Sequence, residues 1–232
     1  KEKLYKYIEA FGLGKPTGID VQFEESGYIR PLNKVGKVEL ANISFGQGIT
    51  VTPIQMASVF SAIANDGIMM KPRIVKEIQL ADNEGNVIER QEIEPQMLRK
   101  VADEDVTRKL REYLELVISE GGGRKAYIEG YNIGGKTGTA QKVVDGRYAS
   151  GKYVASFVGM APIDNPKFVV YVSIDEPDPS NYYASQTAAP LAQQIFKDIF
   201  VSRNIVPDID YSSVLETLVP NVIGLSRSKA EK

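Results

Sequence analysis

Gly134-Gly135-Lys136-Thr137-Gly138-Thr139-Ala140-Gln141 is the stretch on which the fold turns, because it can be read in two incompatible ways. With Gly130 it satisfies G-x-x-x-x-G-K-[ST], the loop that cradles phosphates at the start of a helix. Residues 170–174, followed by Asp175 and Glu176, would even supply an apolar strand ending in an acid, as a magnesium-binding partner would. A phosphate loop, however, must run straight into a helix, whose N-terminus holds the anion. Here Gly138, Thr139, Val143, Val144 and Gly146 follow Thr137, a run that disfavours helix and suits a strand. Ahead of Gly130, residues 125–129 are too few and too polar for the buried parallel strand such a loop requires. The stretch reads as a strand, and the nucleotide-binding alternative is set aside.

Working outward, strands are expected over residues 131–144, 153–161 and 167–174. Turns containing Asp145-Gly146 and Asn165-Pro166 join them, so neighbours should be antiparallel. A helix over 185–202 should turn Leu191, Ile195 and Ile199 inward. Upstream, residues 1–11 read as a helix with Leu4, Ile8 and Phe11 on one face, and the glycine-rich residues 15–50 as an irregular excursion. Thr52-Pro53-Ile54-Gln55 opens a helix with a capping box and a proline at its first position, and Asn65-Asp66-Gly67 ends it. Residues 73–80 and 86–93 should form a hairpin about Asp82-Asn83-Glu84-Gly85. Asp103 should cap a helix that buries Val106, Leu110, Leu114, Val117 and Ile118 and stops at Gly121-Gly122-Gly123. The expected class is α+β, an antiparallel sheet flanked by segregated helices. Residues 1–216 are assigned to this domain and 217–232 to a linker and the start of a second module.

Composition narrows the chemistry. The 232 residues contain no cysteine, which removes thiol catalysis and disulfides, and no histidine, which removes a Ser-His-Asp triad and histidine-ligated zinc. No metal site and no cofactor is expected. A net charge of −2 with scattered basic residues gives no basic arm for nucleic acid. Nucleophilic chemistry in such a chain needs a base other than histidine, and lysine is the usual substitute.

A lysine flanked by hydroxyls on an edge strand can serve that chemistry, but a bare K-T-G also fits an incidental lysine in a solvent-facing hairpin. The flanks decide between them. Ser44-Phe45-Gly46-Gln47-Gly48-Ile49-Thr50-Val51-Thr52-Pro53-Ile54-Gln55-Met56-Ala57, then residues 134–141, then Tyr153-Val154-Ala155-Ser156-Phe157-Val158-Gly159-Met160-Ala161-Pro162 follow one another. Asp175-Glu176-Pro177, Tyr182-Tyr183 and Ala188-Ala189-Pro190 complete the series. In that order they resemble the C-terminal portion of class B penicillin-binding protein transpeptidase domains, whose fold is shared with serine β-lactamases. Residues 219–232 resemble the opening of a PASTA module.

The resemblance implies a peptidoglycan D,D-transpeptidase that acylates a serine with D-Ala-D-Ala stem peptides and is itself acylated by β-lactam antibiotics. Lys136 would supply positive charge and help relay the proton around the serine. Thr137 and Thr139 would hydrogen-bond the ligand carboxylate, with the Thr139 N–H forming half of the oxyanion hole. Gly138 would allow close approach, and Gln141 would lie near the cleft. The family also needs S-x-x-K and S-x-N ahead of K-T-G. Ser226-Arg227-Ser228-Lys229 and Ser202-Arg203-Asn204 match those patterns but follow it in reverse order; among fifteen serines such matches arise by accident. The sequence opens mid-pattern on Lys1-Glu2-Lys3-Leu4, and the nucleophile-bearing half of the domain is expected ahead of it. The implied setting is the extracytoplasmic face of the bacterial plasma membrane, on an N-terminal anchor beside other cell-wall synthesis membrane proteins, in division, cell shape or sporulation. Alternatives on the same fold are a D,D-carboxypeptidase or β-lactamase, and a non-catalytic β-lactam sensor or scaffold.

Overall fold

The computed structural model describes residues 1–207; the expected second module and Ser226-x-x-Lys229 lie outside the described residues. Helix α1 (Glu2–Ala10) buries Tyr5 and Ile8 and gives way to Gly12 and Gly14, both at positive φ. The excursion that follows is less irregular than expected, because Lys37–Ser44 form a helix, α2. Its first turn is closed by the Glu39 carboxylate, which accepts from the Gly36 N–H at 3.1 Å. Only Ile43 of α2 is buried, so no apolar stripe advertises the helix.

Helix α3 (Pro53–Ala64) carries the expected capping box: the Gln55 N–H donates to Thr52 Oγ1 at 3.3 Å and the Thr52 N–H to Gln55 Oε1 at 3.0 Å. Gln55 does more than cap. It is 2% exposed, and its Nε2 donates to the carbonyls of Lys15 and Ser26, so a satisfied buried amide ties the excursion to the helix.

Strand β1 (Ile68–Met70) leads into the expected hairpin of β2 (Glu77–Ala81) and β3 (Val87–Glu92), and β4 (Met97–Lys100) returns to pair antiparallel with β1. The two Asp20 carboxylate oxygens accept from the N–H groups of Ile74 and Val75, each at 2.7 Å, and fix the hairpin's root to the excursion.

Helix α4 (Glu104–Ser119) departs from expectation twice. Asp103 stands at its N-cap, but its carboxylate pairs with Lys100 at 2.7 Å and makes no cap hydrogen bond. The buried stripe is Thr107, Arg111, Leu114 and Ile118, whereas Val106 is 55% exposed and Leu110 37%. The helix is rotated because Arg111 is satisfied inside: its Nη1 donates to the Ile63 carbonyl at 3.0 Å and to the Asp66 carboxylate at 2.9 Å. A buried guanidinium with two acceptors is tolerated where an unpaired one is not.

Strands β5 (Gly134–Val144), β6 (Arg147–Ala161) and β7 (Phe168–Asp175) form an antiparallel sheet in that order. No helix follows Thr137, which removes the phosphate-loop reading on positive grounds. One face packs Ala155, Phe157, Val170 and Val172 against α5 (Ala188–Ser202). The other packs Val158 and Met160 against Phe60 and Ile63 of α3 and Leu114 of α4. In α5 the inward positions are Ala188, Ala189, Ala192, Phe196 and Phe200, with Ile195 and Ile199 at the margin and Leu191 47% exposed. Three alanines and two phenylalanines make up the face of α5 turned to the sheet. Helices thus cover both faces of one antiparallel sheet, the α+β plan expected.

Candidate active site

Two glycines and one ring shape the strand that carries Lys136. Gly135 stands opposite Gly159 in the β5–β6 ladder. A Cβ on Gly135 would come 2.6 Å from the Phe157 ring, and one on Gly159 2.8 Å from it. The ring occupies the space both side chains would need.

The ladder register assigns the faces, since directly opposed residues share one. Thr137 opposes Phe157, Thr139 opposes Ala155 and Gln141 opposes Tyr153, so all three lie on the α5 side. Lys136 opposes Val158 and Gly138 opposes Ser156, on the side of α3 and α4. Lys136 and the threonine hydroxyls therefore leave the strand in opposite directions. A ligand meets both only by lying along the strand's edge.

That edge is open. Among the described residues, β6 is the one strand paired with β5. The Ser156 hydroxyl donates to the Gly138 carbonyl at 3.4 Å, so this carbonyl turns toward β6. Alternation then turns the N–H and C=O of Thr137 and Thr139 outward. Lys136, which is exposed, agrees with this: its Nζ donates to the Thr137 carbonyl at 2.8 Å. Thr139 Oγ1 accepts from the Ala184 N–H at 3.0 Å, which leaves its own hydrogen to be donated. Gln141 is engaged within the hairpin, its Nε2 donating to the Ala149 carbonyl at 2.9 Å.

Sequence reasoning missed what flanks this edge. Tyr153, Tyr182 and Tyr183 stack, with ring centroids 4.0 and 4.4 Å apart, and Tyr183 is 56% exposed. The hydrogen bond with Tyr183, then desolvation, pushes the Tyr182 phenol up to about 12. The available signal was the adjacent pair Tyr182-Tyr183, quoted above for the resemblance but given no place in the site. Lys142 was missed as well. Its Nζ lies 2.8 Å from Asp175 and 2.9 Å from Glu176, which also receives Lys152 at 3.4 Å. The acid once readable as a magnesium ligand is thus one jaw of a clamp between the ends of β5 and β7. Among the described residues no three acidic groups cluster as ligands for a metal ion.

The clamp gives a pH signature. Hydrogen bonds from Lys142, then Lys152, hold the Glu176 carboxyl below its ordinary range. A depressed carboxyl contributes stability that is present above its unfolded value, about 4.3, and is lost as pH falls through the folded one. The contribution is small because the groups are solvent-exposed. Lys142→Met should therefore flatten the acid limb of the thermal midpoint measured from pH 7 to pH 3, as about that window brackets carboxylate titration. Superimposable acid limbs would show that the clamp adds nothing.

The penicillin-binding protein transpeptidase domain model matches residues 1–199. This chain belongs to that family. Stage V sporulation protein D of Bacillus subtilis is 41% identical over the whole chain, which spans 36% of that protein. The probable peptidoglycan D,D-transpeptidase PenA of Neisseria gonorrhoeae is 32% identical over 84% of the chain and 31% of its own length. The chain therefore spans about a third of these curated relatives. Among solved structures, the transpeptidase domain of Burkholderia pseudomallei penicillin-binding protein 3 superposes with a TM-score of 0.77 at 33% identity, over 90% of this chain and 60% of that one. Penicillin-binding protein 3 of Mycobacterium tuberculosis, complexed with aztreonam, gives 0.77 at 30% identity, over 89% of this chain and 47% of that one. The penicillin-binding protein fold thus extends over almost all the described residues, Lys136 included.

Proposed function

We propose that this chain provides the K-T-G face of a peptidoglycan D,D-transpeptidase site. The observation that carries the reading is the placement of residues 136–139 on an open strand edge, with outward backbone groups between a lysine on one side and two hydroxyls on the other. An extended peptide ending in D-Ala-D-Ala fits such an edge as an added strand.

In this reading a serine Oγ attacks the carbonyl of the penultimate D-Ala, and the Thr139 N–H donates to the oxygen as it becomes anionic. Thr137 and Thr139 hydroxyls hold the terminal carboxylate, and Gly138 keeps the approach free. The C–N bond breaks and D-Ala leaves with the serine's proton, relayed with the help of Lys136. An amine of a neighbouring stem peptide then attacks the ester, regenerating the serine and forming the cross-link. A β-lactam enters by the same route, its ring amide taking the place of the scissile bond. The serine belongs to an S-x-x-K element, and no residue ahead of Lys136 in this sequence forms one. The full protein works at the extracytoplasmic face of the plasma membrane with other cell-wall synthesis proteins; among the described residues no helix is long and apolar enough to cross a membrane.

Labelled penicillin tests the assignment on this chain alone. Mass spectrometry should find the 232-residue protein unmodified, and the full-length protein modified on one serine preceding the present Lys1. An adduct on Ser156, Ser202 or any other serine here would move the nucleophile and overturn the reading. With the full protein, release of free D-Ala without cross-linked product would assign a carboxypeptidase instead.

A further inference from the structure

We propose that the open cavity lined by α1 and the segment after it, α3, β1 and β4 is a binding site for a monoanionic, partly apolar carboxylate, separate from the β5 edge. Its volume is about 410 Å³, and no residue of β5, β6 or β7 lines it. That size falls within the roughly 300–1,000 Å³ typical of small-molecule sites. Phe11, Met69 and Met70 give it an apolar wall.

Two polar groups on that wall keep hydrogen-bonding capacity that the described residues do not use, and both reach the open space of the cavity. Ser58, on α3, is 8% exposed, and its hydroxyl hydrogen-bonds no described group. Ser44, Ser119 and Ser202 bond back to a carbonyl of the preceding turn, whereas Ser58 does not. The Ser58 hydroxyl lines the cavity and is available to a group that enters it. Arg99, on β4, is half-buried and pairs with no carboxylate among the described residues. Its Nε donates to the Ala10 carbonyl at 2.6 Å, and one Nη lies 3.1 Å from Met69 Sδ. These contacts lock the guanidinium plane and leave the other Nη unengaged, an arrangement suited to a carboxylate. Lys6 and Lys15 at the rim add positive charge, while Glu9 beside them opposes a second negative charge. A single carboxylate on an apolar body satisfies all of these groups at once; an inorganic anion leaves the apolar wall uncovered, and a neutral molecule leaves Arg99 unpaired.

The test uses the 232-residue protein with octanoate as probe and octanol and inorganic phosphate as controls, followed by two-dimensional NMR. Octanoate should bind saturably, with Kd below about 5 mM and shifts confined to α1, α3, β1 and β4; octanol and phosphate should bind at least about tenfold more weakly. Ser58→Ala should weaken octanoate about tenfold with an unchanged thermal midpoint, and Arg99→Gln by at least as much. Because Arg99 also supports Ala10, the serine variant carries the decision if the arginine variant unfolds. No saturable shifts by about 50 mM, equal affinity for octanol, an unaffected Ser58→Ala variant, or shifts centred on β5 would each overturn the proposal. None of these outcomes depends on acylation, so the transpeptidase assignment is tested separately.

Discussion

Lys136→Ala should slow acylation by penicillin in the full-length protein about 100-fold, since one donor to developing charge in a partly desolvated cleft is worth ~3 kcal/mol. The thermal midpoint should not move: Lys136 is exposed, and its one hydrogen bond is to the carbonyl of its own neighbour. The strand beneath it is held by Gly135, Gly159 and Phe157, which the substitution leaves alone. Lys136→Arg should recover only part of the rate, because a planar guanidinium keeps the charge but cannot share a proton as an amine does. Stopped-flow acylation of the three proteins checks both statements. Wild-type acylation by Lys136→Ala would reduce this lysine to a surface residue of a hairpin and withdraw the central assignment.

Phe157→Ala should cost ~3–5 kcal/mol, the usual range for deleting a fully buried aromatic ring. In a chain of this size that lowers the thermal midpoint by ~6–20 °C. The ring has 0% exposure and lies across Gly135 and Gly159. Gly135→Ala should also destabilise, by ~1–3 kcal/mol, through overpacking against the same ring. Combined with Phe157→Leu, which vacates the contested space, Gly135→Ala should cost less than it does alone, because contacting residues are coupled. Strictly additive losses by calorimetry would show that the ring does not dictate those glycines.

What sequence made legible follows from how local the determining interactions are. The capping box of α3, the β2–β3 turn and the β5–β6 hairpin are each settled by neighbours within a few residues, and each forms where read, except that β5 begins at Gly134 rather than 131 and β6 at Arg147 rather than 153. The pairing of β1 with β4 joins segments of three and four residues separated by a whole hairpin, and no period is visible over so short a span. Helix α2 has a glycine before it and a single buried residue, so it resembles its irregular surroundings. The α4 stripe was misread because apolar periodicity cannot register a buried arginine. Arg111 and its distant acceptors outweigh Val106 and Leu110. For residues 136–139 the sequence indicated a strand, which forms, but not the division of Lys136, Thr137, Gly138 and Thr139 between its two faces. That division depends on the ladder register and on the Thr139 contact with Ala184, 45 residues on.

The outer side of β7 has a consequence for handling the protein. Among the described residues no strand pairs with it, and residues 168–174 read Phe-Val-Val-Tyr-Val-Ser-Ile without a charge or a proline. Such a run on an unpaired edge is a template for aggregation. The charges bordering it are Lys167 on one end and Asp175 on the other, and Asp175 is already engaged by Lys142. Produced by itself, this chain should be limited by solubility before it is limited by folding. The position for a gatekeeper charge is Ser173, the exposed residue within that run.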